Sequence, residues 1–199
     1  MPSALVLGNG ESRSVLDLHK LSKGVTTIGC NAIHRDFIPN ILVCCDRKMV
    51  AESISNESLE IILTRKDWLS HFNCDRVAGV PDLPWNEEDR HMQPIHWGSG
   101  SYALLTAAKL GFEEIFIAGF DLYSRTGLVN NIYKNTEHYL KDDRPNVDYS
   151  YWVLQKSKIF KEYRNTIFYI INLEDWKLPI EWQLPNVKLI KFSDFSLAK

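Results

Sequence analysis

The chain has 199 residues, 24% of them charged, and a formal net charge of −2. A near-neutral body of that size suits one folded domain over 1–199 and speaks against a nucleic-acid coat or a membrane-surface protein. The opening MPSALVLGNG has neither a charged leader nor a long apolar stretch, so no signal peptide and no membrane span are expected, and a cytoplasmic location follows.

Ala4–Leu7 is an unbroken apolar run and reads as a strand buried on both faces. It leads into Gly8-Asn9-Gly10-Glu11-Ser12, a glycine-bracketed turn with an expected helix over Ser12–Lys20. Such a strand–turn–helix leaves free N–H groups where a phosphate would sit, while the two glycines permit positive φ and close backbone approach. Further strands are expected at Val25–Ile28, Ile41–Cys45, Leu59–Leu63, Ile115–Gly119, Thr166–Ile171 and Val187–Phe192. Helices are expected at Arg47–Ser53, Lys66–Phe72, Ser99–Leu110 and Tyr149–Arg164. The clearest is Ser99–Leu110, preceded by His96-Trp97-Gly98-Ser99-Gly100-Ser101 and ended by Gly111. Strands interleaved with helices imply an α/β, Rossmann-like fold: a mostly parallel sheet with helices on both faces.

Two segments break this alternation. Ala78–Trp97 carries three prolines and a charged run Glu87–Arg90, and reads as a surface connection. Residues 124–147 are polar, but hold Tyr133, His138 and Tyr139, which marks a candidate lid inserted in the domain. Residues 172–199, rich in Trp and Pro, read as a cover on the sheet edge, with an oligomer contact as the other possibility. Cys44 and Cys45 are adjacent and should point to opposite faces, as reduced thiols. The four cysteines lack the paired C-x-x-C spacing of structural zinc, so no metal site is assigned.

In open parallel sheets, ligands bind beyond the carboxyl ends of the strands. The residues just past the expected strands are Asn9, Asn31, Asp46, Asp121 and Asn172. Each is also a common turn residue, but five converging on one edge suit a nucleotide-like ligand: amides read a base or phosphate, and carboxylates bind ribose hydroxyls or a cation. Arg13, Arg35, Arg47 and Lys48 are near in sequence and available to neutralise an anion.

These pieces, in this order, resemble the small bacterial sialyltransferases that build surface lipooligosaccharides. The matching blocks are Gly8-Asn9-Gly10-Glu11-Ser12, Cys30-Asn31, Ser99-Gly100-Ser101-Tyr102, Ala107–Ile115 and Gly119-Phe120-Asp121-Leu122-Tyr123, roughly the first two-thirds of the chain. The wider group includes uncharacterised and phage-borne proteins and the archaeal-type pterin pyrophosphokinases. The resemblance implies a CMP-linked sugar donor, a glycan or other hydroxyl acceptor, no cofactor, and metal-independent transfer with inversion. It implies donor binding by Gly8, Asn9, Gly10, Ser12, Asn31, Asp46, Ser99, Gly100 and Asp121, with Tyr123 and Tyr133 on the leaving phosphate. Neutral donors at the departing oxygen lower the barrier to an oxocarbenium-like transition state.

The chain departs from that pattern at four places, one of them His96, which stands near the family's acceptor-binding arginine. Glu11 stands where the family has proline, and Asp46 where it has a second donor-binding asparagine. The family's general-base histidine, a few residues beyond a His-Tyr pair, is missing after His138-Tyr139, which leaves His138, Asp142 or Asp143 for the role. Two other functions compete: a phosphoryl or pyrophosphoryl transferase with Mg²⁺ on Asp46 and Asp121, and a non-catalytic nucleotide-binding module.

Overall fold

The computed structural model describes residues 2–85 and 88–195. Eight strands form one all-parallel sheet: β1 Ser3–Leu7, β2 Thr26–Cys30, β3 Ile41–Val43, β4 Ile62–Thr64, β5 Val77–Gly79, β6 Glu114–Ala118, β7 Ile167–Asn172 and β8 Val187–Lys191. Their order is β5-β4-β3-β2-β1-β6-β7-β8. The chain therefore winds outward from β1 to one edge, returns to the other side of β1 as β6, and winds out again. Leu7 lies beside Gly29 on one side and Ala118 on the other.

The helices are α1 Leu18–Leu21, α2 Arg47–Ile54, α3 Ser99–Lys109 and α4 Ser150–Glu162. Period-two alternation in β1 explains why both faces must be covered: Ala4 and Val6 enter one core with Tyr102, Leu105 and Phe160, while Leu5 and Leu7 enter another with Met49, Val50 and Tyr133. The expected α/β fold with helices on both faces is the one observed. Cys44 and Cys45 do face opposite cores, and all four cysteines are free. No described helix is long and apolar enough to cross a membrane.

Several expectations are corrected, among them the helix expected over Lys66–Phe72, which is a 3-10 turn at Lys66–His71. The helix expected over Ser12–Lys20 is a 3-10 turn at Glu11–Val15 followed by α1, because Asp17 breaks it and caps the second piece through Lys20 N. Strand β5 was not anticipated; Val77-Ala78-Gly79 offers a single β-branched residue and is paired on one side only. The connection over Ala78–Trp97 is not all surface, since Val80, Met92 and Trp97 are buried in the core; Glu87 of its charged run lies outside the described residues. The Trp-rich end behaves as a cover: Trp182 Nε1 donates to Val153 O at 2.9 Å and Trp176 Nε1 to Asp121 O at 2.9 Å. Residues 196–199 of that stretch also lie outside the described residues.

The exits of β1 and β6 are pressed together. Gly8 N donates to Ala118 O and Gly10 N to Gly119 O, both at 2.8 Å. A Cβ on Gly8 would stand 2.3 Å from Gly119 O. Gly119 takes φ +73, the left-handed region that favours glycine. Contrary to expectation, Gly8 and Gly10 are absent from the positive-φ positions and are required for space. Gly8→Ala is expected to cost about 2–3 kcal/mol through forced backbone displacement. Urea denaturation checks this, and a loss below about 0.5 kcal/mol would contradict it.

Candidate functional site

The break in strand order falls between β1 and β6, and a crevice of about 590 Å³ opens there. Gly8–Gly10, Gly98–Ser101 and Gly119–Leu122 all line it, with Gly8 packed against Gly119 and Gly100 against Phe120. The two glycine-bracketed bends thus share one pocket, at the place where open parallel sheets bind ligands.

Asn9 is 7% exposed. Its Nδ2 donates to Cys30 O at 3.1 Å and toward Tyr139 Oη at 3.5 Å, while its Oδ1 is buried with no protein partner. The amide expected to donate to a phosphate therefore spends its donor within the fold, and the atom left over is an acceptor. Ser99 Oγ accepts from Cys45 N at 2.8 Å and donates to Asn31 Oδ1 at 2.7 Å, which ties the first turn of α3 to the ends of β2 and β3. Asn31 adopts φ 52 and Leu122 φ 66, so left-handed backbone gathers at the crevice. Gly98, at the N-cap of α3, supplies no side-chain cap. Ser101 N already donates to Gly98 O at 3.0 Å, so it is the N–H groups of Ser99 and Gly100 that are open to a ligand.

Asp121 is 5% exposed and is engaged by its own neighbours. Its Oδ2 accepts from Ser12 N at 2.8 Å and its Oδ1 from Ser12 Oγ. Burial raises its carboxyl above the usual range against these bonds. A Cβ on Gly10 would stand 2.5 Å from its carboxyl carbon, so the carboxylate plugs the first turn. Asp46 lies at the crevice rim and caps α2 by accepting from Lys48 N at 2.9 Å. Among the described residues, no group of three or more His, Cys, Asp or Glu side chains is arranged to hold a metal ion.

The expected site residues divide accordingly. Gly8, Asn9, Gly10, Asn31, Asp46, Ser99, Gly100, Asp121 and His138 line the crevice. Ser12 and Tyr123 instead line a neighbouring cavity of about 540 Å³, together with Asn172. Tyr123 packs on Tyr149 and stacks over Trp176 at 6.5 Å between centroids. Asp142 and Asp143 are exposed and lie off the crevice wall. Tyr133 is buried behind the site, donating to Asp36 and accepting from Arg13 Nη2 at 2.9 Å. Arg13 also pairs with Asp36 at 3.4 Å, and Arg35 holds Glu52 through two bonds of 2.6 Å. Neither arginine, nor Arg47 or Lys48, is on the crevice wall.

The 124–147 segment forms the crevice's far wall and is tied down along its length. Glu11 N donates to Asn130 Oδ1 at 2.8 Å, Ile132 N to Asn9 O at 2.9 Å, and Arg35 Nη1 to Thr136 Oγ1 at 2.7 Å. His138 stands at the rim, at φ 69. The crevice also contains Tyr139, read from sequence only as part of the lid, and residues that sequence reasoning passed over: Arg65, Trp152 and Lys156. Tyr139 Oη accepts from Ala32 N at 3.3 Å, and Arg65 is paired with Asp67 at 2.5 Å. Lys156 had a readable signal, because Val153, Lys156, Ser157 and Phe160 occupy one face of α4 at helical spacing and all are buried.

No protein-family profile and no curated protein matches the chain. Among solved structures, it is similar to the sialyltransferase CstII from Campylobacter jejuni in complex with a substrate analogue, CMP-3FNeuAc. The identity is 16% over 85% of this chain and 81% of that one, with a TM-score of 0.47. It is likewise similar to a point variant of the α-2,3/8-sialyltransferase CstII, at 16% identity over 84% and 80% of the two chains and a TM-score of 0.48. Both are likenesses of fold.

The tie at Tyr133 yields a test of where this residue acts. Tyr133→Phe leaves Arg13 and Asp36 without the hydroxyl between them and is expected to cost about 1–2 kcal/mol. Affinity for any ligand of the crevice should stay within about threefold, since a loss of under 0.7 kcal/mol is the size of a remote effect. Denaturation and titration calorimetry on the same variant check both, and an affinity loss at unchanged stability would return Tyr133 to the site.

Proposed function

We propose that this protein is a nucleotide-sugar-dependent glycosyltransferase of the sialyltransferase-like type. Its donor is a CMP-linked sugar, and transfer to a hydroxyl acceptor inverts the anomeric centre without a metal. The observation that carries the reading is the crevice itself: two side-chain-poor bends line one pocket, and Asn9, in the first of them, holds a buried Oδ1 with no protein partner. An orphaned buried acceptor is costly in the empty site and is satisfied by a ligand N–H or O–H. The volume of about 590 Å³ lies within the range of small-molecule sites.

The roles follow from the donors and acceptors present. Asn9 Oδ1 receives a hydroxyl or base amino group, and Asn31 offers its Nδ2, since its Oδ1 is already taken by Ser99. The N–H groups at the start of α3 and the Tyr139 hydroxyl face the phosphate and sugar. His138, at the rim, takes the proton of the incoming acceptor hydroxyl, the part open to it among the three candidates because Asp142 and Asp143 are off the wall. The phosphoryl-transfer alternative asks Asp46 and Asp121 to share a magnesium ion. Both carboxylates already accept hydrogen bonds from their own chain, Asp121 through both oxygens, which favours the glycosyltransferase reading.

Titration calorimetry with CMP, CDP, UDP, GDP and ATP tests the donor class: cytidine nucleotides should bind most tightly, and no cytidine binding at millimolar concentration would overturn the proposal. His138→Ala should slow transfer, or slow hydrolysis of the donor, by about 10²–10⁴-fold. CMP affinity should be retained in that variant. Activity unchanged in His138→Ala would assign proton removal elsewhere.

A further inference from the structure

A buried ammonium stands in the crevice wall with no carboxylate to answer it. Lys156, on α4, is 3% exposed, and its Nζ lies 3.5 Å from Ser101 Oγ and 5.0 Å from the centroid of the Phe120 ring. None of the ion pairs among the described residues includes it. Of the two carboxylates on the crevice wall, Asp121 is bonded to Ser12 and Asp46 caps α2. An ion taken out of water without a partner is strongly unfavourable, and it survives selection for stability where a ligand supplies the opposite charge.

A second, independent feature points to the same spot. The eleven-residue helix α3 begins at Ser99 behind a glycine N-cap, so its first N–H groups have no side-chain cap, and Ser99, Gly100 and Ser101 line the crevice with Lys156. Helix N-termini carry partial positive charge. Gly100 cannot carry a side chain there, since a Cβ would stand 2.6 Å from Phe120 Cε1. The α3 terminus and the Lys156 ammonium thus share one wall, and both call for an anion.

We propose that Lys156 and the first turn of α3 form a phosphate-binding site, in which Lys156 supplies the positive charge against the phosphate of the ligand held in this crevice. The ligand's being a nucleotide rests on the glycosyltransferase reading; the demand for an anion does not. In transfer, the bond from the anomeric carbon to the phosphate oxygen breaks and its electron pair leaves on that oxygen. The acceptor oxygen bonds to the carbon, and its proton passes to His138. Lys156 meets the charge that develops on the phosphate and gives up no proton. The leaving group is then stabilised by a cation of the protein's own, beyond the neutral donors that the motifs suggested.

Burial pushes Lys156 down to about 8, which makes its protonation readable. The titratable groups on the elements around it include Cys30 on β2, Tyr102 and Lys109 on α3, and Arg90 and Glu181 on the turns that contact α4. The crevice is also lined by Asp46, Arg65, His96, Asp121, His138, Tyr139 and Tyr151. Of these, the Cys30 thiol is the one whose charge reaches Lys156, and burial holds that thiol protonated with a value of about 11. Because the folded value lies below the ordinary 10.5, the ligand-free fold is penalised at neutral pH and regains stability as pH rises from about 8 toward 10.5.

Titration calorimetry on the full chain with CMP, cytidine and inorganic pyrophosphate tests this, comparing wild type, Lys156→Met and Lys156→Arg. Lys156→Met should weaken CMP and pyrophosphate by about 30-fold and leave cytidine within about threefold, the arginine variant falling between. Near pH 8.5, where CMP is already dianionic, wild type should take up a proton on binding CMP, read from buffers of different ionisation enthalpy, and Lys156→Met should not. Ligand-free Lys156→Met should melt about 3 °C higher at pH 7, with the gap closing at higher pH. If cytidine compounds fail to bind while pyrophosphate shows the lysine dependence, the anion site stands and the nucleotide reading falls. Anion affinities within about threefold of wild type in Lys156→Met overturn the proposal, as does failure of both CMP and pyrophosphate to bind wild type. If the methionine variant does not fold, absence of proton uptake by wild type overturns it equally.

Discussion

The structure depends on the contact between the backbones leaving β1 and β6. Gly8 and Gly119 approach so closely that neither tolerates a side chain, and the bonds from Gly8 N to Ala118 O and Gly10 N to Gly119 O carry the ladder past the strand ends. Asp121 then locks the first turn by taking both the N–H and the hydroxyl of Ser12. At the point where the winding of the sheet reverses, the helices must diverge to opposite sides of the sheet, and a crevice is left between the loops. Close packing at the strand ends and open space above them are two consequences of one topology.

That constraint changes the meaning of several residues. The glycines read as cradles for a ligand are first of all spacers between two strand exits and beneath Phe120. Asp121, read as a ligand for ribose or metal, is an internal strut. Asn9 spends its donor on Cys30 and Tyr139 and keeps an acceptor for the site. The crevice wall is completed by the polar 124–147 segment, whose Ile132, Tyr133 and Tyr139 join the core on the α2 side of the sheet while Asn130, Asn131 and His138 turn inward. A polar loop of that length holds its place here through Arg13, Arg35, Glu11 and Asn9, so the charges nearest in sequence to the site are consumed in holding its wall.

Electrostatics follow the same division. Arg13 and Arg35 are spent on Asp36, Glu52 and the backbone of the far wall, and Arg65 on Asp67. The cation left facing the crevice, Lys156, comes from a helix more than a hundred residues after the first glycine turn. Its burial beside Ser101 and Phe120 gives the site a charge that the glycine motifs do not announce.

What the sequence by itself determined is the alternation: buried β-branched runs and amphipathic helices specify a parallel sheet covered on both faces, and the two glycine turns mark the strand end and helix start where its crevice lies. Those features are local and periodic, so they can be read one segment at a time. Short β5 and the broken first helix escaped because an edge strand of three residues and a single capping Asp leave too little periodic signal. Only the tertiary structure decided which polar groups remain available. Whether Asn9, Asp121, Tyr133 or Lys156 meets a ligand depends on partners 21 to 130 residues away, brought close by the strand order. Hydrogen bonds and ion pairs saturate: a group already satisfied by a distant partner has little left to offer, and sequence spacing carries no record of that partner.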